Sequence, residues 1–158
     1  MDHCPEPTYA AIARLVFGYA ERLDAGDLAG MSELFANGTF RSVGPDGIST
    51  LTGGAEVLAG FTGSVRMHGA TPATKHVTTN LIVEEGADGT TATARSVFTV
   101  LQAAAGLPLQ VILAGRYADA FVRDDDGWRF ADRLVHIELV GDVSAHLMVD
   151  LDQRAVPQ

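Results

Sequence analysis

The stretch Thr74-Lys75-His76-Val77-Thr78-Thr79-Asn80-Leu81-Ile82-Val83-Glu84 decides the fold. Its residues alternate, with Thr74, His76, Thr78, Asn80 and Ile82 on one side and Lys75, Val77, Thr79, Leu81 and Val83 on the other. A period of two is the mark of a strand. Three more such segments follow, Thr90 to Gln102, Leu109 to Arg123 and Trp128 to Val140. Turn residues separate them: Gly86-Ala87-Asp88-Gly89, Ala105-Gly106-Leu107-Pro108 and Asp124-Asp125-Asp126-Gly127. Long strands with short connections predict an antiparallel meander.

Before Thr74 the period is helical. Ile12, Leu15, Val16, Tyr19, Ala20 and Leu23 form one apolar stripe, which predicts a helix over Thr8 to Ala25 stopped by Gly26. Asp27 caps a second short helix, Leu28 to Phe35. A short strand is read at Thr39 to Val43 and a third helix at Ala55 to Phe61, with Val65 as its furthest limit. The Gly-rich segment Gly44 to Gly54 reads as a loop. Helices first and a curved sheet after make the class α+β: an antiparallel sheet shaped as a half-open cone, covered by the N-terminal helices and enclosing a pocket. No linker divides the 158 residues, so one domain is expected over 1–158.

Composition narrows the function. The net charge is −9, so a phosphate backbone or an anionic membrane surface would be repelled. No apolar run approaches the length of a membrane span. Met1 to Glu6 is acidic, unlike a secretory leader, and Cys4 stands alone. The expected setting is a reducing cytoplasm. His3, His68, His76, His136 and His146 never fall in a metal-binding spacing, so no metal or organic cofactor is expected.

Three charged or titratable residues stand out. Asp24 lies at the flank of the apolar stripe near a helix C-terminus, where the dipole disfavours a carboxylate. The plain alternative is a solvated helix-end acid. His76 sits on a mixed strand face, and its plain alternative is a half-exposed strand histidine. Arg133 shares an alternation face with Ala131, Val135, Ile137 and Leu139, while Trp128, Phe130, Leu134 and His136 take the other. A buried guanidinium needs a partner: a carboxylate such as Asp24, a backbone carbonyl or a ligand anion.

These landmarks resemble the nuclear transport factor 2-like superfamily in its SnoaL-like branch. The resemblance rests on Tyr19-Ala20-Glu21-Arg22-Leu23-Asp24-Ala25-Gly26-Asp27, Leu34-Phe35-Ala36, His76-Val77-Thr78-Thr79-Asn80, Gly115-Arg116-Tyr117-Ala118-Asp119, Gly127-Trp128-Arg129-Phe130 and Arg133. It is similar above all to the scytalone dehydratase, bile-acid dehydratase and hexachlorocyclohexane dehydrochlorinase group. The resemblance implies a dyad in which Asp24 orients His76 as general base, a pocket tyrosine at Tyr19 and an arginine at Arg133. The dehydratases carry a further His or Asp on the strand after His76, where this chain offers only hydroxyls and Arg95. The implied reaction is a cofactor-independent elimination of water or halide from a small hydrophobic cyclic molecule. An isomerase or polyketide-type cyclase could use the same base, and a non-catalytic binding module would keep the pocket alone. Phe17, Asn80, Phe98 and Met148 are the expected substrate contacts. Relatives of this fold imply a homodimer or homotrimer.

The last expectation concerns the segment after Gly141. Leu147, Met148 and Val149 are apolar and should fold back over the pocket mouth or a neighbouring subunit, with Met148 as an adaptable lid.

Overall fold

The structure, a computed structural model, describes residues 7–44 and 47–148. Helix α1 spans Thr8–Ala25, and its buried residues Ile12, Val16, Tyr19, Ala20 and Leu23 recur every three or four positions. It ends at Gly26, whose φ of 77° is left-handed. There the Gly26 N–H bonds Leu23 C=O and the Asp27 N–H bonds Arg22 C=O, the paired closure that satisfies a helix C-terminus. A Cβ at Gly26 would stand 2.1 Å from the Ala70 carbonyl oxygen, so both conformation and space demand glycine.

Asp27 then accepts from the Gly30 N–H at 2.8 Å and opens α2, Leu28–Glu33. This helix stops short of the predicted Phe35 because the chain tightens: Phe35 N–H bonds Ser32 C=O and Ala36 N–H bonds Glu33 C=O. Strand β1 covers Thr39–Gly44, and β2 covers Gly47–Thr52. The second strand replaces the expected loop. It has only Ile48 and Leu51 as apolar residues and is almost wholly exposed, so its pairing to β1 leaves no periodic signal. Helix α3 runs Gly53–Ser64, longer at both ends than its predicted core, with Glu56 accepting from the Thr52 N–H at 2.8 Å.

Strands β3 (Thr74–Glu85), β4 (Thr91–Ala104), β5 (Leu107–Asp124) and β6 (Gly127–Val140) form the predicted meander. The sheet has six strands in the order β2-β1-β6-β5-β4-β3 and is unclosed. One pair departs from the antiparallel expectation: β1 lies parallel to β6. The chain passes through β2, α3 and three strands before it returns, and that length permits a parallel contact.

Bulges give the sheet its curvature and change which side chains face inward. One lies between Thr79 and Ile82, where Asn80 adopts a left-handed φ of 55°. Beyond it Leu81 and Val83 turn to the core and Ile82 to solvent, the reverse of strict alternation. Another lies opposite Ala120 and Phe121 and brings Phe130 onto the face of Arg133. A third, opposite Ala114 and Gly115, turns Leu139 outward. The predicted faces of β6 are corrected at both points.

Arg133 is 0% exposed and stands directly across from Asp119 in the register. Its Nε and Nη2 donate to the two Asp119 carboxylate oxygens at 2.9 and 2.8 Å. The Tyr19, Tyr117 and Phe130 rings flank its guanidinium at 4.4, 4.1 and 4.7 Å. Asp119 is therefore the partner, and Asp24 is not. Burial works against the charged guanidinium, and the Asp119 charge and hydrogen bonds more than restore it.

Removing the partner should expose the full desolvation cost. We expect Asp119→Ala to destabilise the protein by about 3–5 kcal/mol in urea unfolding, and the double change Asp119→Leu with Arg133→Met to recover most of it. A loss under about 1 kcal/mol for Asp119→Ala would show that the ion pair does not hold the core.

Candidate active site

The end of α1 and the start of β3 meet through Asp24. The carboxylate accepts three hydrogen bonds: Thr74 Oγ1 donates to Oδ1 at 2.8 Å, the His76 backbone N–H to Oδ2 at 2.8 Å, and His76 Nδ1 to Oδ1 at 2.6 Å. A carboxylate only accepts, so Nδ1 carries a proton, and in the neutral ring the lone pair is on Nε2. Burial alone would raise the Asp24 carboxyl. The bond to and charge of His76, then its backbone N–H and the Thr74 hydroxyl, outweigh burial and hold the carboxyl below its ordinary value.

His76 opens on a cavity of about 380 Å³ inside the cone. Tyr19, Phe40, Phe61, Phe98 and Tyr117 give it aromatic walls. Phe98 and Tyr117 stack at 4.5 Å between centroids. Burial pushes both tyrosine phenols above their usual range, so they stay protonated as donors. Opposing effects from Arg133, which lies beside both rings, are smaller.

The structure thus brings Asp24 and His76 together and places Tyr19 and Phe98 on the wall. Arg133 is not on it; it sits behind Tyr19 and Tyr117, with Nε and Nη2 bound to Asp119 and Nη1 without a hydrogen-bond partner among the described residues. Three expected contacts are corrected. Phe17 is 45% exposed on the outer side of α1. Asn80 is carried outward by its own bulge. Met148 is 48% exposed, and its neighbours His146 and Leu147 line the cavity instead. Leu147 bridges Val65, so the segment does fold back; Val149 lies outside the described residues.

Sequence reasoning passed over Tyr117 and His146. Tyr117 alternates with Leu113, Asp119 and Phe121, so its period marks it as buried and does not single it out. His146 lies in no periodic element. It is 4% exposed with an unpartnered Nδ1, and burial first, then the nearby His76 and His68, push its pKa down to about 4 against the pull of Asp24. Among the described residues, no group of three or more His, Cys, Asp or Glu side chains could hold a metal ion, and no helix is long and apolar enough to cross a membrane.

The lowered His146 value has a consequence for stability. Its folded pKa lies below the unfolded value of 6.5, so between pH 6.5 and about 4 the unfolded chain binds a proton that the folded chain refuses. Stability is therefore unaffected by this group above 6.5 and falls as pH drops through the window. We expect His146→Gln to relieve about 2–3 kcal/mol of acid destabilisation by about pH 4.5. An unchanged slope of unfolding free energy against pH would contradict this.

Comparison with known proteins agrees with the architecture. An NTF2-like protein with a cystatin-like fold from Novosphingobium aromaticivorans is 28% identical, with 87% of this chain and 85% of that chain covered at a TM-score of 0.69. A protein from the same organism provisionally named a scytalone dehydratase is 25% identical, with 85% and 86% covered at 0.65. ActVI-ORFA from Streptomyces coelicolor, 23% identical over 84% of this chain and 98% of its own at 0.68, shares the fold. No curated protein matches the sequence. The model of the SnoaL-like domain matches residues 7–134, most of the chain and every element through the middle of β6, and the protein belongs to that family.

Proposed function

We propose that the chain is a cofactor-independent lyase that eliminates water or halide from a small hydrophobic cyclic molecule. The observation that carries this reading is the 2.6 Å contact between Asp24 and His76 at the wall of an aromatic cavity. In this scheme His76 Nε2 takes a proton from a carbon of the substrate. The C–H electron pair becomes the new double bond, and the bond to the leaving oxygen or halide breaks with its pair. Asp24, ionised, steadies the imidazolium that forms. A leaving hydroxide receives a proton from the Tyr19 phenol, which recovers one from the His76 imidazolium. An isomerase or cyclase would use the same abstraction and return the proton to another atom, leaving the mass unchanged.

The test is a mass-spectrometric screen of cyclic alcohols, ketones and halides. Loss of water or hydrogen halide marks the lyase; unchanged mass with altered retention marks the isomerase. For whichever substrate turns over, His76→Ala should lower kcat/KM by about 10³-fold with its fold intact by circular dichroism, and Asp24→Asn should be read only beside it. Equal rates for His76→Ala and the parent protein would sink the scheme, and binding without turnover would leave a small-molecule-binding module.

The outer sheet face supports a homo-oligomer. Val77, Val97, Val111 and Leu139 stand on it at 44%, 40%, 53% and 69% exposure. We place a second copy there, as dimer or trimer, and the lone Cys4 suits a cytoplasmic setting. Light scattering should give a multiple of 16.6 kDa, returned to the monomer by Leu139→Glu. A monomeric parent protein would refute this arrangement.

A further inference from the structure

Helix α3 is held weakly for a wall of the cavity. Its twelve residues, Gly53–Ser64, include four glycines, and only Val57 is fully buried. Glycine is the poorest helix former after proline, because it surrenders the most backbone freedom. The helix packs on α2 and on β2, the exposed edge strand of the sheet. Where α1 closes on the left-handed Gly26, α3 runs directly into the extended Val65. One ring ties it to the aromatic core: Phe61 lies 5.1 Å from Phe40 and 6.5 Å from Tyr19 between centroids. Both ends are fixed by backbone bonds. The Gly53 N–H bonds the Gly38 carbonyl at 2.9 Å, and Val65 pairs with Leu147. The helix is thus a strap, pinned at its two ends and lightly held between them.

Packing explains some of its glycines and not others. A Cβ at Gly54 would stand 3.1 Å from the Ser32 carbonyl oxygen, and one at Gly60 would stand 2.6 Å from Leu51 Cδ1. Those two let α3 approach α2 and β2. Gly63 is helical and exposed, and nothing lies within 4 Å of the place its Cβ would take. Alanine would fit there and hold the helix better. Gly63 therefore weakens α3 without any gain in packing. That weakness lies beside the cavity, which Gly60, Phe61 and Ser64 line from α3 and Ser49 and Leu51 line from β2. These five residues are exposed or half-buried. The lining on β4 and β5, such as Val100 and Leu113, is buried. Solvent reaches the cavity wall on the side of α3.

We propose that α3 is the gate of the cavity: its second half, Gly60 to Ser64, unwinds between the fixed ends, carries Phe61 off Phe40 and Tyr19, and admits a small molecule to His76. The gate goes beyond the elimination and does not rest on it, since an isomerase or a binding module with this cavity needs the same entrance. Local opening of a weakly packed segment sets the rate at which the interior is reached, while the rest of the fold stays intact. A change in helix strength away from the lining should therefore alter access and leave the wall itself unchanged.

The test needs no substrate. In a Cys4→Ser background, Val100→Cys places a thiol on the β4 wall of the cavity, where the side chain is 1% exposed. Methyl methanethiosulfonate, a small neutral reagent, reports access to it by mass spectrometry. The thiolate attacks the reagent's sulfenyl sulfur, a disulfide forms, and methanesulfinate leaves with the electron pair of the broken bond. Two exposed positions on α3, neither on the lining, then adjust the helix in opposite directions. Gly63→Ala should slow labelling about threefold. Ala59→Gly should speed it about fivefold. In urea below the unfolding transition, the labelling rate should rise far less steeply than the population of the unfolded chain, because a local opening exposes little surface. Leu113→Cys supplies a second wall thiol that should respond in the same way, and it carries the test if Val100→Cys does not fold. The proposal is overturned by a rate that neither α3 variant moves, which would place the entrance elsewhere, or by no labelling of a folded protein. A urea slope equal to that of global unfolding would overturn it as well, since α3 would then open only with the whole chain.

Discussion

A guanidinium with no exposure to solvent stands at the centre of an aromatic core, and the concave side of the sheet is arranged around keeping it charged. Arg133 can be buried only because Asp119 lies opposite it in register and three rings cover its faces. Two of those rings, Tyr19 and Tyr117, turn their other sides to the cavity. The ion pair therefore sets the back wall of the site without entering it. Tyr19 also contacts Phe35, Phe40 and Phe61 and so couples α1 to the turn after α2, to β1 and to α3. A change at Arg133 would move the wall before it moved any reacting group, and loss of activity in such a variant would be a positioning effect.

The same economy governs the opposite side of the cavity. The C-terminus of α1 is an unfavourable place for a carboxylate, yet Asp24 is the link between that helix and β3. The turn at Gly26 fixes where the helix stops, and the close approach of the Ala70 carbonyl fixes where the chain leading into β3 must lie. The helix end and the strand start are thus set against each other by backbone geometry before the side chains of Asp24 and His76 meet.

How far the sequence discloses all this depends on periodicity. Helix α1 and the four long strands are legible because each repeats its apolar period over many residues, and Asp24 and His76 are legible because they interrupt it. The bulges are not legible, since one extra residue leaves composition untouched while reversing every face beyond it. Asn80 was misplaced for that reason, and Phe130 was assigned to the wrong side of β6. Strand β2 is invisible because an exposed edge strand has no apolar face to repeat. His146 is hidden by a different cause: its position comes from backbone bonds to distant residues such as Arg66, which no local pattern encodes.

The three hydrogen bonds on Asp24 bear on how any variant there must be interpreted. All three partners are donors: a hydroxyl, a backbone N–H and a ring N–H. Asparagine could meet two of them with its carbonyl oxygen, but its amide nitrogen would then confront the third, donor against donor. The carboxylate is thus required by the fold at β3 as well as by a base at His76, and Asp24→Asn removes both together. His76 is the cleaner probe. Its backbone N–H stays with Asp24 whatever the side chain, so a substitution there deletes the imidazole and leaves the strand tied to the helix. A role in proton transfer must therefore be judged at His76, and Asp24 only by comparison with it.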